Sequence, residues 1–196
     1  DLNLFDKVVT LTSVDKEELI KSGVKVPIYV SPAAVNTPLL SYRGWNGKIV
    51  FLGGYGHIPN QEGLKWFLNS VVPDINWEKY PNVRIDIVGK GWSESMFTNL
   101  SDKVKIYFHG FVEDLSSVMS GAIMIVPILS GSGMRMKILE ASALGVPFVT
   151  TTVGVEGLDF VDKSSCLIAD TTEAWVDALE NLMNSESLRF KLSESA

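Results

Sequence analysis

Two glycine-rich stretches hold the residue types best able to do chemistry. One runs Leu129-Ser130-Gly131-Ser132-Gly133-Met134-Arg135-Met136-Lys137-Ile138-Leu139-Glu140-Ala141, from the end of a strand-like segment into a helical pattern. Glycines at such a junction leave backbone N–H groups free, and the helix start adds the positive end of its dipole, so an anion can be held there. The pattern predicts a helix from about Gly133 to Leu144, with Ser132 as its N-cap and Gly145 and Pro147 stopping it. Arg135 and Lys137 then lie in the first turns, where the dipole makes positive charge unfavourable by roughly a few tenths of a kcal/mol. A bound anion reverses that sign. The exposed N–H groups with Arg135 and Lys137 would form a diphosphate cradle.

Glu140 falls about seven residues into that helix, roughly 10 Å along its axis. Its neighbours Leu139, Ala141 and Ala143 give it an apolar setting, and an unpaired carboxylate there is costly. Two arrangements satisfy it. It can pair with Lys137 or Arg135, the commoner fate of a mid-helix glutamate, or it can accept two hydroxyls of a ribose whose diphosphate rests on the helix start.

The other stretch is Phe51-Leu52-Gly53-Gly54-Tyr55-Gly56-His57, leading from a strand toward a helix with Pro59 near its start. It is no dinucleotide fingerprint, because the third glycine would fall at Pro59, and no Gly-Lys-Ser/Thr follows to make a P-loop. Taken alone it reads equally as a tight turn or as a place where backbone approaches phosphate.

Other chemistries find little support. His57, His109 and Cys166 show no metal-ligand spacing, so no metal site is expected. No Asp-x-Asp occurs to grip a divalent ion on a diphosphate, and Gly-x-Ser-x-Gly is absent. The five tryptophans do not cluster with basic residues, and the net charge of −6 argues against nucleic acid as a partner. The longest apolar run, Ala122 to Leu129, is far too short to span a bilayer. A lone cysteine gives no disulfide framework and points to a reducing compartment. The chain begins at Asp1 rather than Met and reads as a piece of something longer.

The elements that must position these residues follow from periodicity. Strand-like runs at Lys7–Thr12, Pro27–Ser31, Lys48–Gly53, Val83–Gly89, Val104–His109, Ala122–Pro127, Pro147–Thr151 and Cys166–Ala169 are short and mostly β-branched, as strands covered on both faces are. Between them, Leu64, Phe67, Leu68 and Val71 repeat the helical spacing, as do Trp175, Ala178, Leu179 and Leu182. The alternation predicts an α/β fold with a parallel sheet. A helix from Ser13 or Val14 to about Ser22 belongs to a small leading unit, and the proline-flanked stretch from Ser31 to Pro38 reads as a connector. A boundary is expected near residues 38 to 47. At 196 residues and 46% apolar content, the chain can bury a full core without disulfides or metal.

Read together, Gly131 to Pro147, Thr150-Thr151 and Gly154-Val155-Glu156-Gly157-Leu158 resemble the C-terminal donor-binding domain of GT-B glycosyltransferases of the retaining group 1, family 4-like class. Phe51-Leu52-Gly53-Gly54, Pro59-Asn60, Ile87-Val88-Gly89-Lys90-Gly91 and Gly110-Phe111-Val112-Glu113-Asp114 match in the same order. The matches span about residues 48 to 170. The resemblance implies a Rossmann-like doubly wound sheet over 41–196, with 1–40 as the end of an N-terminal domain and its connector. Ala34-Val35-Asn36-Thr37 stands where the family commonly has Gly-Val-Asp-Thr.

By that resemblance Glu140 is the second glutamate of the family's E-x7-E motif and holds the ribose. Gly131, Ser132, Gly133 and Met134 meet the diphosphate and sugar, Lys90 with Phe111, Val112 and Glu113 wall the base, and Gly53, Gly54 and Gly56 face the phosphates. Glu140, Arg135 and Lys137 are the expected catalytic set. The implied reaction is metal-independent sugar transfer from a nucleotide-diphosphate sugar, with retention and no cofactor. The donor is one partner; an acceptor glycan or lipid-linked sugar would be met through the missing N-terminal domain, which also carries any peripheral membrane contact, and the expected location is cytoplasmic or at the inner membrane face. Two departures stand out: Ser132 occupies the first glutamate position, and no Arg…Lys pair follows the first glycine loop. A binding or regulatory module without turnover and a nucleotide-sugar epimerase are the alternative readings.

Overall fold

The computed structural model describes residues 1–35, 39–97, 100–131 and 133–196. Ser132, Asn36 and Thr37, singled out above, lie outside the described residues. A small leading unit pairs β1 (Val8–Thr10) in parallel with β2 (Ile28–Val30) across α1 (Ser13–Lys21). Thr12 caps that helix, its hydroxyl accepting from the Asp15 N–H at 3.0 Å.

The main sheet is parallel and six-stranded. Its strands are β3 (Lys48–Leu52), β4 (Arg84–Val88), β5 (Lys105–Gly110), β6 (Ala122–Val126), β7 (Phe148–Thr150) and β8 (Leu167–Ile168), in the spatial order β5-β4-β3-β6-β7-β8. The chain first builds outward from β3 to β5, then returns to the other side of β3 with β6. That reversal puts a topological switch point between β3 and β6, where an open α/β sheet offers a crevice at its carboxyl end.

Alternation along the strands sorts the core into two halves. Ile49 and Phe51 of β3, with Ile123 and Ile125 of β6, pack on one face; Val50, Met124 and Val126 pack on the other. The first face is covered by α2 (Ile58–Trp66), a π-helical turn (Phe67–Val71), the short α3 (Val72–Asp74) and, from the far end, α6 (Thr172–Asn184) and α7 (Glu186–Glu194). Trp175 is fully buried there, edge-on to Phe67 at 5.7 Å and to Trp66 at 5.8 Å. The second face is covered by α4 (Leu115–Met119) and α5 (Met136–Ala143).

All eight predicted strands form, each within about two residues of its expected ends. The helix carrying Glu140 differs from expectation. It starts at Met136, three residues after Gly133, because Arg135 takes a non-helical backbone (φ −89°, ψ 81°) and stands as N-cap with no side-chain capping bond. Its far end is as expected, with Gly145 at φ +64°. Gly63 has a packing reason: a Cβ there would lie 1.8 Å from the Pro127 carbonyl oxygen, so only glycine lets α2 approach the end of β6 this closely. Among the described residues no helix is long and apolar enough to cross a membrane.

Candidate functional site

The late start of α5 sets the site's geometry. Counted from Met136, Glu140 lies only ~6 Å along the axis, and Lys137 and Glu140, three apart, share one side of the helix. Ile138 and Ala141 are buried against the sheet. Lys137 and Glu140 line a cavity of about 560 Å³ over the carboxyl ends of β3, β4 and β5. Gly53 and Gly54 supply the wall beyond β3, Lys90 the wall beyond β4, and Phe111, Val112 and Glu113 the wall beyond β5. Eight of the expected site residues are therefore brought together.

The two turns that form the floor touch. A Cβ on Gly89 would lie 2.2 Å from the Gly53 carbonyl oxygen, so the β3 and β4 turns can meet only with glycine at that position. Lys90 places its ammonium 4.7 Å from the Phe111 ring centroid, joining the β4 and β5 walls.

Within the cavity the charges are poised rather than neutralised. The Lys137 ammonium donates to Asn60 Oδ1 at 2.8 Å and sits 5.2 Å from the Phe51 ring centroid. Burial, helped by the nearby Arg135 charge and opposed by Glu140, brings its pKa down from 10.5 to about 8. Burial likewise raises the Glu140 carboxyl above the ordinary glutamate value, with Lys137 pulling the other way. The two groups feel each other but form no ion pair within 4.0 Å, and among the described residues no donor reaches the Glu140 carboxylate. Of the two arrangements open to Glu140, the intrahelical pair is thus not made.

The second glycine stretch behaves differently. Arg135 is buried, and its guanidinium folds back to donate to the carbonyls of Gly133 and, at 2.9 Å, Gly131. Gly131, Gly133 and Arg135 do not line the cavity, nor does Gly56. Met134 lines a separate cavity of about 520 Å³, bounded by Leu11, Val30 and Pro32 on one side and Leu139 and Phe160 on the other. The first cavity is distinguished by converging charge and glycine turns over the sheet's switch point.

The remaining singled-out groups play other parts. His109 on β5 pairs with the buried Asp86 of β4 (Nε2 to Oδ1, 3.2 Å), and His57 is an exposed N-cap residue. Cys166 is buried and its thiol is pushed up to about 12, chiefly by burial. Among the described residues no group of three His, Cys, Asp or Glu side chains could hold a metal ion. Sequence reasoning missed Asn60, Gln61 and Trp92, which hold the first glycine loop from behind. Asn60 and Gln61 follow that loop closely, and Asn60 falls in the matched Pro59-Asn60 pair, whereas Trp92 lies 39 residues from Gly53 with no local signal.

Sheet order and cavity put the chain in the class of doubly wound α/β domains that take ligands at the switch point. The family model for "Glycosyl transferases group 1" matches residues 46–185, and the chain belongs to that family. An "Uncharacterized glycosyltransferase" of Haemophilus influenzae is 27% identical over 199 aligned residues, covering 97% of this chain and 55% of the relative. An "Uncharacterized 44.6 kDa protein in cps region" of Klebsiella pneumoniae is 26% identical over 162 residues, covering 78% of this chain and 41% of the relative. The chain thus spans about half the length of these relatives. Among solved structures, TarM superposes with a TM-score of 0.78 at 17% identity, over 98% of this chain and 39% of TarM. WaaG, a glycosyltransferase involved in lipopolysaccharide biosynthesis, gives 0.75 at 16%, over 95% of this chain and 56% of WaaG. Pneumococcal GtfA, solved with UDP and GlcNAc, gives 0.73 at 16%, over 96% and 42%. At such identities the likeness is one of fold, and the fold is that of the GT-B glycosyltransferases.

Proposed function

We propose that this chain is the donor-binding part of a retaining, metal-independent glycosyltransferase, and that its cavity holds a nucleotide-diphosphate sugar. The observation that carries the reading is the convergence of an unpaired carboxylate, Glu140, and a half-buried ammonium, Lys137, on glycine turns at the ends of β3 and β4. Glu140 would accept ribose hydroxyls, replacing the hydrogen bonds it otherwise lacks. Lys137 and the turn N–H groups would take the diphosphate, whose negative charge grows as the sugar departs; fixed donors aimed at that charge are the main catalytic contribution of this chain. Phe111, Val112 and Glu113 would wall the base. The GtfA neighbour, solved with UDP, supports a nucleotide in a domain of this shape.

The acceptor, glycan or lipid-linked, and the groups that activate it would come from a second lobe, in keeping with relatives about twice as long. One lobe alone cannot bring the reacting atoms to the ~3–3.5 Å that transfer requires or exclude water from them. A second reading, a donor-binding module without turnover, is favoured by Ser132 standing where the family places its first motif glutamate. Saturation-transfer NMR against UDP-, GDP- and ADP-sugars, beside a transfer assay, tests the proposal. Weak binding of one nucleotide series without transfer by these residues is expected; no binding at millimolar ligand, or efficient transfer by this chain alone, would overturn it.

A further inference from the structure

The first glycine loop is tied down by three side chains that all take carbonyl oxygens. Trp92 Nε1 donates to Gly53 at 2.6 Å, Asn60 Nδ2 to Gly54 at 3.0 Å and Gln61 Nε2 to Tyr55 at 2.7 Å. Three successive peptide planes are thereby fixed. The N–H groups of Gly54 and Lys90, both residues lining the cavity, donate to nothing among the described residues.

Asn60 differs from the other two in having a second arm at work. Its Oδ1 accepts from Lys137 Nζ at 2.8 Å, linking the start of α2 to the start of α5 across the switch point. The residue is only 6% exposed, and Gly53 leaves its side chain room: a Cβ there would lie 2.6 Å from Asn60 Nδ2. Lys137 is faced by Arg135 from the N-cap, by Glu140 from its own helix, by the Phe51 ring from β3 and by Asn60 from α2, with Lys90 and Glu113 on the far walls of the cavity. Among these neighbours Asn60 is the one that accepts a hydrogen bond from the ammonium.

We propose that Asn60 is a positioning residue that joins the Lys137 ammonium and the Gly53–Gly54 turn into a single seat for a diphosphate. It acts through both of its amide atoms and need not touch the ligand itself. The family's Arg…Lys pair after this loop has no clear match in Tyr55–Lys65, so the charge is imported from α5, and a bridging amide keeps it in place. The inference rests on the cavity being the donor site.

The test compares a nucleoside diphosphate with its nucleoside, using UDP, GDP and ADP with uridine, guanosine and adenosine, on the wild-type chain and on Asn60→Ala, Asn60→Asp, Lys137→Met and Asn60→Ala/Lys137→Met. The ratio of diphosphate to nucleoside affinity should fall about tenfold in Asn60→Ala, as loss of a charge-orienting hydrogen bond implies. The double variant should fall no further than Lys137→Met alone. If Asn60→Ala fails to fold, Asn60→Asp keeps the shape, and its carboxylate should raise the Lys137 titration followed by NMR of the side-chain amine while still lowering the ratio. Nucleotide binding with the ratio unmoved in the Asn60 variants, or additive losses in the double variant, would overturn the inference alone. Failure of all three diphosphates to bind the wild type would overturn the donor-site reading and the inference together.

Discussion

Two glycine-rich loops end neighbouring strands of this sheet, and they use arginine and lysine in opposite ways. Beyond β3, the Gly53–Tyr55 carbonyls are taken by Trp92, Asn60 and Gln61, and the charge beside them comes from Lys137, a residue 77 positions from the asparagine that holds it. Beyond β6, the Gly131 and Gly133 carbonyls are taken by Arg135 itself, so that loop consumes its own cation. On the proposed reading, the β3 loop would seat an anion because other side chains satisfy its carbonyls and leave the Lys137 charge to spare. Glycine content alone does not distinguish the two.

The contrast is sharpest under substitution. Lys137→Met keeps an unbranched chain over Phe51 and removes the charge. Diphosphate affinity should fall about 30-fold, the ~2 kcal/mol typical of a charge-assisted contact, with nucleoside affinity unchanged by calorimetry. Equal losses for both ligands would move Lys137 out of the phosphate seat. Glu140→Ala should weaken nucleotide and nucleoside alike, by about tenfold. A 2′,3′-dideoxy ligand should show no such loss, and a loss persisting with that ligand would contradict a ribose contact.

A smaller effect follows from protonation. Lys137 titrates near 8 in the free protein, and a bound anion favours its charged form. Diphosphate affinity should therefore decline several-fold as pH rises through 8 toward 9, with proton uptake on binding measurable by calorimetry in buffers of different ionisation enthalpy. Near pH 6 the amine already carries its proton and uptake from this group should vanish. The Lys137→Met variant should lack the high-pH decline. Smallest of all is the expected change in binding for Arg135→Ala, less than about threefold. That variant should instead lower the melting temperature by ~2–4 °C, the usual cost of about 1 kcal/mol in a chain of this size. A diphosphate loss as large as that of Lys137→Met would erase the distinction between the loops.

Much of this fold is legible in sequence because its strands are continuous and covered on both faces. Runs such as Ala122–Val126 have no polar residue to blur them, and the stripe through Trp175 fixes the inward side of α6. The five-residue α4 is too short to show a period, and α7, with few buried side chains, carries no clear apolar stripe. The site is harder. Placing Lys137 and Glu140 on one side of a helix needs only their spacing, but separating Lys137 from Arg135 needs the helix start, which falls after Arg135, whose guanidinium binds the Gly131 and Gly133 carbonyls. Asn60 stands beside Gln61 in the first turn of α2, and polar residues there usually mark a solvated face. Its burial is set by Gly53 and Lys137, one seven residues away and the other 77.

The central claim is that the cavity over β3, β4 and β5 is where a nucleotide diphosphate binds. Amide NMR titration of the chain with UDP, GDP and ADP tests it residue by residue. The shifts of one nucleotide should concentrate at Gly53, Gly54, Lys90, Phe111–Glu113, Lys137 and Glu140, and those of its nucleoside should spare Gly54 and Lys137. Shifts gathered instead at Leu11, Met134 and Phe160, or none at millimolar nucleotide, would contradict the account.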